Sequence, residues 1–435
     1  MATILQYALY VLVLVTVLSA LVAAHELGHY LFARLFGMGA EEFAIGMGKP
    51  RVAIWFRKTY TVPLPADTPY REGEMVQSIS EAMGLEGGAK AVTSEVVRTH
   101  KGLALAETTE FTFRPWPVGG FVRIKGMMPE DDGSEIKIPG GFYSKPPWQR
   151  FLVLLAGPAF SVLAGLVLLT GVFSTHGVGR ADPAAILGGV AKDQPAWNAG
   201  LRPDDRIVSL DGKPVERFFQ VMQVVREHPG KEFTLEYERK GVRKSTKVVP
   251  VADTEPTPVL DENMELTMEK KIQGKLGVQP TVAIVPLSIG QAWKEACQAP
   301  VKTVAGLWMT FTRPSLAKDN LGGPGTIVVA TAQAVDGGIA NVLYFAGVLS
   351  ISVGIFNLLP IFPLDGGQMT VAIAEMLRGG RRLSIRVQNL VGTIGFALVM
   401  ALFACVLLID ANRFLAPKPN AGKKIEMEYS DKMKE

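Results

Sequence analysis

The sequence predicts a polytopic α-helical membrane protein: four transmembrane helices, a cytoplasmic-side membrane-associated β-hairpin, and one extracytoplasmic α+β domain. Three observations carry this prediction. Residues 2–24, 151–173, 337–364 and 387–409 are free of charged side chains, and a span needs about 20 such residues. The apolar set makes up 48% of the chain and charged residues 20%, a balance that leans toward a membrane protein. Basic residues cluster beside alternate span ends, which fixes an orientation.

The first span has no basic stretch before it and runs straight into "HELGH". It lacks a small-residue cleavage site, so it reads as a retained span and not as a signal peptide. After it come Arg34, Lys49, Arg51, Arg57 and Lys58, and Lys145 and Arg150 precede the second span. Arg378, Arg381, Arg382 and Arg386 lie between the third and fourth. Positive charge stays inside, so 34–150 and 375–386 are expected in the cytoplasm, with both termini and 176–336 outside. In the tail, Lys418, Lys423 and Lys424 are offset by Glu426, Glu428 and Asp431.

This gives an ordered division of the chain. Residues 1–36 carry the first span and 37–110 a polar cytoplasmic loop, with a short helix expected at 74–83. Residues 111–148 hold the hairpin and its connecting loop. There "FTF" and "FVRIKG" alternate with period two around Pro and Gly-Gly, as strands do. The second span lies within 149–175. Residues 181–280 read as the outer domain: strand, short helix and strand, a turn at Asp211-Gly212, a helix in "FFQVMQVVREH", and a hairpin about Lys240-Gly241. Residues 252–272 read as an acidic loop. Within 281–335, an amphipathic helix at 290–312 is expected on the outer membrane surface. The third span falls in 337–367, the fourth in 387–410, and the tail is 411–435.

Composition excludes two classes. A formal charge of +4, from 45 basic and 41 acidic residues, does not suit a nucleic-acid binder. Two cysteines, Cys297 and Cys405, build neither a disulfide framework nor a cysteine metal site.

The chemistry gathers at two motifs. His25 and His29 are four residues apart, so a helix puts them on one face. H-E-x-x-H lets two imidazoles bind one Zn²⁺, with Glu26 as general base. Chance supplies this pattern roughly 0.003 times in such a chain. A zinc hydrolase uses three protein ligands and keeps the fourth position for water. Asp365 closes the uncharged run of the third span, at the cytoplasmic end by the charge rule, the depth His25 should also reach. It is the expected third ligand of one zinc per chain. Pro360 and Pro363 would break the span just before it. Irregular backbone at membrane depth needs protein or a water-filled cavity against it. Asn357 precedes those prolines and would bond either a substrate carbonyl, the Asp365 carboxylate or freed backbone.

With these residues the sequence resembles the site-2 proteases, intramembrane zinc metalloproteases, in their bacterial RseP-like branch. The matching stretches are "HELGH" at 25–29, "PVGGFVRIKG" at 117–126, "LLAGPAF" at 154–160, "LGGPGTI" at 321–327 and "FNLLPIFPLDGG" at 356–367. The outer domain resembles a single PDZ module. The resemblance implies that His25, His29 and Asp365 bind zinc, that Glu26 is catalytic and that Asn357 handles substrate. It implies that Gly119, Gly120, Phe121, Val122, Arg123 and Ile124 hold an unwound substrate strand. Pro360, Pro363 and Gly366 would shape the backbone at the site. Ser161 departs from the family, which usually carries Asn there.

The implied activity is cleavage of single-span membrane proteins within the bilayer, anti-sigma factors or remnant signal peptides among them, at the bacterial inner membrane. The active site would face the cytoplasm, and the PDZ-like domain would receive peptide C-termini outside. Two other readings compete. A catalytically inactive PDZ-containing membrane adaptor would leave the His-Glu-His and Asp set without a task. An ion transporter would need more polar groups in the spans than Gln388, Asn389 and Thr393.

Overall fold

A computed structural model describes residues 2–49, 55–64, 69–80, 90–100, 102–127, 138–181, 184–253, 257–260, 266–312, 322–415 and 427–430. The chain divides into two compact units: Met1–Thr175 with Ser288–Ala416, and His176–Leu287 with Pro417–Glu435.

The first unit begins with helix α1 (Ala2–Leu35). Six strands follow: β1 (Ala40–Met47), β2 (Trp55–Pro63), β3 (Met75–Ser80), β4 (Lys90–Thr99), β5 (Gly102–Phe113) and β6 (Trp116–Ile124). They form one sheet in the order β3-β4-β5-β1-β6, with β2 also on β5. The unit then continues into α2 (Pro147–His176).

Two expectations are corrected by this sheet. Residues 75–80 form β3, paired with β4 over six positions, where a helix was expected at 74–83; residues 81–83 lie outside the described ones. Val76, Ser78, Ile79 and Ser80 are weak helix formers, and a partner strand satisfies their backbone groups. The 111–126 hairpin is not a hairpin either. β1 lies between the two strands, parallel to β5 and antiparallel to β6. The cause is a polar hub on β1. Buried Glu42 accepts from Thr112 Oγ1 and from the Arg114 guanidinium, each at 2.6 Å, and pairs with Arg123 at 3.5 Å. Arg114 lies in the connection between β5 and β6, so its charge is neutralised only if β1 is the inner neighbour. A second ion pair, Lys125 Nζ to Glu107 Oε1 at 2.7 Å, ties the end of β6 to β5. Lys125 is 1% exposed, and a buried charge of that kind requires its partner.

The second unit holds β7 (Val178–Ala181), β8 (Leu187–Ala191), α3 (Pro195–Asn198), β9 (Arg206–Leu210), β10 (Lys213–Pro214), α4 (Phe218–Glu227), β11 (Phe233–Arg239) and β12 (Val242–Val248). β13 (Val251–Ala252), β14 (Thr257–Leu260), β15 (Leu266–Lys271), β16 (Gly274–Lys275), β17 (Val278–Pro280) and β18 (Val282–Val285) complete the run. Phe218, Val221 and Val225 put one face of α4 onto a core with Leu187, Leu201, Ile207 and Leu235. Asp211 and Gly212 at φ 50° and 73° make the β9–β10 turn; Lys240 and Gly241 at 51° and 77° make the β11–β12 turn. Positive φ at both central residues is what a type I′ two-residue hairpin turn requires. Within the expected 252–272 loop, β14 and β15 pair antiparallel.

The chain then gives α5 (Ile289–Ala296), α6 (Gln298–Thr312), α7 (Pro324–Asp336), α8 (Ile339–Asn357), α9 (Asp365–Leu377), α10 (Ile385–Leu415) and β19 (Met427–Tyr429). The single helix expected at 290–312 is two. Pro300 cannot donate to the carbonyl of Ala296 and its ring would clash with it, so α5 ends and α6 restarts. Among the described residues, four helices are long and apolar enough to cross a bilayer: Ile4–Leu35, Pro147–His176, Ile339–Asn357 and Ile385–Phe414. The third is shorter than the 337–367 expected. Helix α8 stops at Asn357, and Asp365 begins the next helix instead of ending the span.

Glycines set how closely these helices approach. A side chain on Gly28 would overlap the Ala156 carbonyl, one on Gly165 the Gly347 carbonyl, and one on Gly354 the Pro158 carbonyl. Small residues at such crossings give contact where no water drives association. Of the "LGGPGTI" stretch, Leu321 lies outside the described residues. Its remainder opens α7, whose first turn is capped by Asp410 of α10: Gly325 N–H donates at 2.8 Å and Thr326 Oγ1 at 2.7 Å. At the other end of α7, Tyr10 of α1 donates to Asp336 at 2.6 Å.

Candidate metal centre

His25 and His29 fall on one face of α1, as the four-residue spacing requires, with ring centroids 4.9 Å apart. Each ring is anchored through Nδ1. His25 Nδ1 is 2.9 Å from Ser161 Oγ, and His29 Nδ1 is 2.8 Å from the Val153 carbonyl, both on α2. That leaves the two Nε2 atoms facing inward, 3.2 Å apart.

Asp365 meets them from the far end of the sequence. Its Oδ2 is 3.0 Å from His25 Nε2 and 3.4 Å from His29 Nε2. The placement follows from local sequence. After Asn357 the chain turns back on itself through residues 358–364, with Ile361 N–H to Leu359 O at 2.7 Å and Leu364 N–H to Ile361 O at 3.0 Å. The Phe362–Pro363 bond is cis. The first turn of α9 nests in this curl. A side chain on Gly366 would collide with the Leu358–Leu359 backbone, and one on Gly367 with that of Ile361–Phe362. The two glycines after Asp365 therefore let its carboxylate reach the imidazoles. Pro360 and Pro363 are exposed on the curl.

The donor set suits a zinc ion. One ligand atom from each of His25, His29 and Asp365 lies within 4.8 Å of the others. Two imidazole nitrogens and a carboxylate oxygen are the ligand chemistry of hydrolytic zinc. Both Nδ1 atoms are already bonded outward, the outer-shell arrangement that fixes ring orientation and leaves Nε2 for the metal. Gly157 is part of the fit, since a side chain there would overlap the His29 ring.

Glu26 points to the neighbouring side. Its Oε2 accepts from the Val122 N–H at 2.8 Å, joining α1 to β6. This strand carries Gly119–Ile124 and is the last of the sheet order, so one side of it has no strand neighbour among the described residues. Gly120 lies close to α1, where a side chain would meet Val22 and the Ala44 carbonyl. Val122 and Ile124 pack into a cluster with Ala33, Met38, Val153, Leu154 and Met369. Phe121 lies under the Arg114 and Arg123 guanidinium groups. Asn357 is the last residue of α8, half-buried, ahead of the curl.

Sequence reasoning did not assign two residues here. Ser161 is 1% exposed, and its carbonyl accepts from Ser350 Oγ at 2.7 Å. The signal was a hydroxyl in a span whose one other hydroxyl residue is Thr170. Glu42 carried no signal, because its partners lie on strands about 70 residues away.

The sequence model of peptidase family M50 matches residues 13–62 and 93–402. "Probable protease eep" of Enterococcus faecalis is 29% identical over 435 residues, covering 93% of this chain and 99% of that protein. "Zinc metalloprotease RasP" of Geobacillus kaustophilus is 30% identical over 427 residues, covering 92% and 97%. The protein of the same name from Shouchella clausii is 30% identical over 432 residues, covering 93% and 99%. Among solved structures, the PDZ domain of an SdrC-like protein from Listeria monocytogenes aligns with 24% of this chain and 93% of its own, at 15% identity and a TM-score of 0.17.

Proposed function

The chain belongs to peptidase family M50, the site-2 proteases, and from that premise we propose that it cuts transmembrane segments of single-span membrane proteins with the groups gathered around His25. It is a zinc metalloprotease of the membrane. His25, His29 and Asp365 hold the metal. The observation that carries this assignment is the convergence of His25 Nε2, His29 Nε2 and Asp365 Oδ2 while both Nδ1 atoms are bonded to α2.

Bound zinc supplies Lewis-acid chemistry, polarising a peptide carbonyl and making water more acidic. Glu26 takes the proton of the attacking water and passes it to the leaving amine. Asn357 donates to the substrate near the cut bond. A transmembrane helix hides its carbonyls in its own hydrogen bonds, so it must be unwound first. The outer side of β6, Gly119 through Ile124, holds the unwound segment by strand addition. Water enters past the exposed Pro360 and Pro363.

The charge pattern orients the site toward the cytoplasm of a bacterial inner membrane. The pairing of β19 with β8 bears on the number of spans between them and not on which side they face. It keeps the chain's tail on the same side of the bilayer as residues 176–287, as four spans demand. The module at 181–280 is PDZ-like and receives peptide C-termini.

The test is Glu26→Gln in proteoliposomes with a single-span reporter. Zinc content should stay at one per chain while cleavage falls by about 10²–10⁴-fold. Retained cleavage would remove Glu26 from the mechanism. Loss of zinc together with cleavage would make it a ligand instead of the base.

A further inference from the structure

The tail does something the protease reading does not use. β8 is the central strand of three, with β17 on one edge and β19 on the other. β19 comes from the end of the chain, beyond the fourth span. Met427 pairs with Ala191, Glu428 with Val190 and Tyr429 with Gly189, antiparallel. The ladder continues one residue further, with Ser430 N–H donating to Gly188 O at 2.9 Å.

Three features make this a built seat. Ser430 is 1% exposed, and its hydroxyl donates to Asp204 Oδ1 at 2.7 Å. Asp204 is held in place: its φ is 69°, its N–H donates to Leu187 O at 2.8 Å, and its neighbour Asp205 takes a two-pronged ion pair from Arg239. That hydrogen-bonded carboxylate pushes the Arg239 guanidinium above its usual range. The third feature is Gly189. A side chain there would come within 3.0 Å of Met427 and 3.1 Å of Tyr429. A glycine at that position therefore makes the room in which both tail side chains sit, and all five residues of β8 are buried.

A three-residue strand has no stability of its own. It stays because it is tethered. Being part of the same chain makes its pairing with β8 an intramolecular event. Such a strand is held well enough to occupy the edge and weakly enough to leave it.

We propose that this edge of β8, with Asp204 and Gly189, is a peptide-docking site of the strand-addition kind, occupied in cis by Met427–Ser430. Its ligand is an extended segment with large side chains at alternate positions followed by a hydroxyl residue. The tail is the resident copy, and an incoming segment must displace it. The proposal does not depend on the metal centre.

The experiment uses the full chain in detergent and a fluorescent peptide of residues 424–433. A chain ending at residue 425 should bind the peptide at least tenfold more tightly than the intact chain. Asp204→Ala in the shortened chain, or Ser430→Ala in the peptide, should each weaken binding at least fivefold, and the two together no further. In the intact chain, Gly189→Val should speed hydrogen exchange of the Ser430 amide at least tenfold and leave the β11 amides protected. That arm decides the matter if the shortened chain misfolds. Equal binding by intact and shortened chains would overturn the proposal. So would no binding by a shortened chain that melts as the intact one does, or a Ser430 amide still protected in Gly189→Val.

Discussion

The Val122 amide donates a 2.8 Å hydrogen bond to the Glu26 carboxylate, so β6 is fastened to α1 through the side chain assigned as the base. Glu26→Gln and Glu26→Ala therefore predict different losses. Both should lower single-turnover cleavage of a membrane reporter by about 10²–10⁴-fold, the usual share of a general base. Glutamine keeps an oxygen that accepts from Val122; alanine does not. Hydrogen exchange should find the Val122 amide protected in the first variant and open in the second. Equal protection in both would mean that β6 is held by its other contacts alone.

Ser161→Ala removes the group bonded to His25 Nδ1. Loss of such an outer-shell partner typically costs 10–100-fold in metal affinity. Chelator competition should read a fall of that size, with a change in folding stability of only about 1 kcal/mol. Unchanged affinity would show that α1 alone orients the ring.

Gly157→Ala should act on the same centre from a second direction, because the added methyl overlaps the His29 ring. Zinc content should drop below one per chain. The companion change Gly171→Ala, on the same helix with nothing within 4 Å, should leave zinc unchanged and should not lower the melting temperature. A silent Gly157→Ala would contradict the close approach of α1 and α2.

Arg150 and Glu375 form a buried ion pair that joins α2 to α9, with the Leu383 N–H on the second carboxylate oxygen. Arg150→Met alone strands a carboxylate that is 0% exposed and should cost about 3–5 kcal/mol. Arg150→Met with Glu375→Leu should recover most of that, read as the melting temperature in detergent. A double variant no better than the single would mean the pair matters for something other than its charge.

The candidate metal centre was legible because its information is local. His25, Glu26 and His29 share one helix face, and Asp365 is marked by the prolines before it and the glycines after it. The sheet was not legible for the opposite reason. β1 gains meaning only through Thr112, Arg114 and Arg123, and no local pattern announces that Glu42 will be buried among them. Residues 114–120, with their prolines and paired glycines, looked like a hairpin loop because the inserted strand comes from far upstream. β19 is too short to leave any period, and Ser430 acquires its role only from Asp204. Asp365 was expected to end a span and instead opens the next helix, since an uncharged run does not reveal that its helix stops at Asn357.

The insertion of β1 between β5 and β6 also orders events during synthesis. β1 leaves the ribosome long before either neighbour exists; its Glu42 waits for Glu110 and Arg123. At roughly 5–20 residues per second, that wait is on the order of 4–16 seconds. Throughout it, the strand has two open edges and an uncompensated acid, while α1 is the only span yet made. The sheet can close only once Ile124 has emerged, and α2 is translated next. The platform beside the first span is thus finished before the second one arrives to cover it.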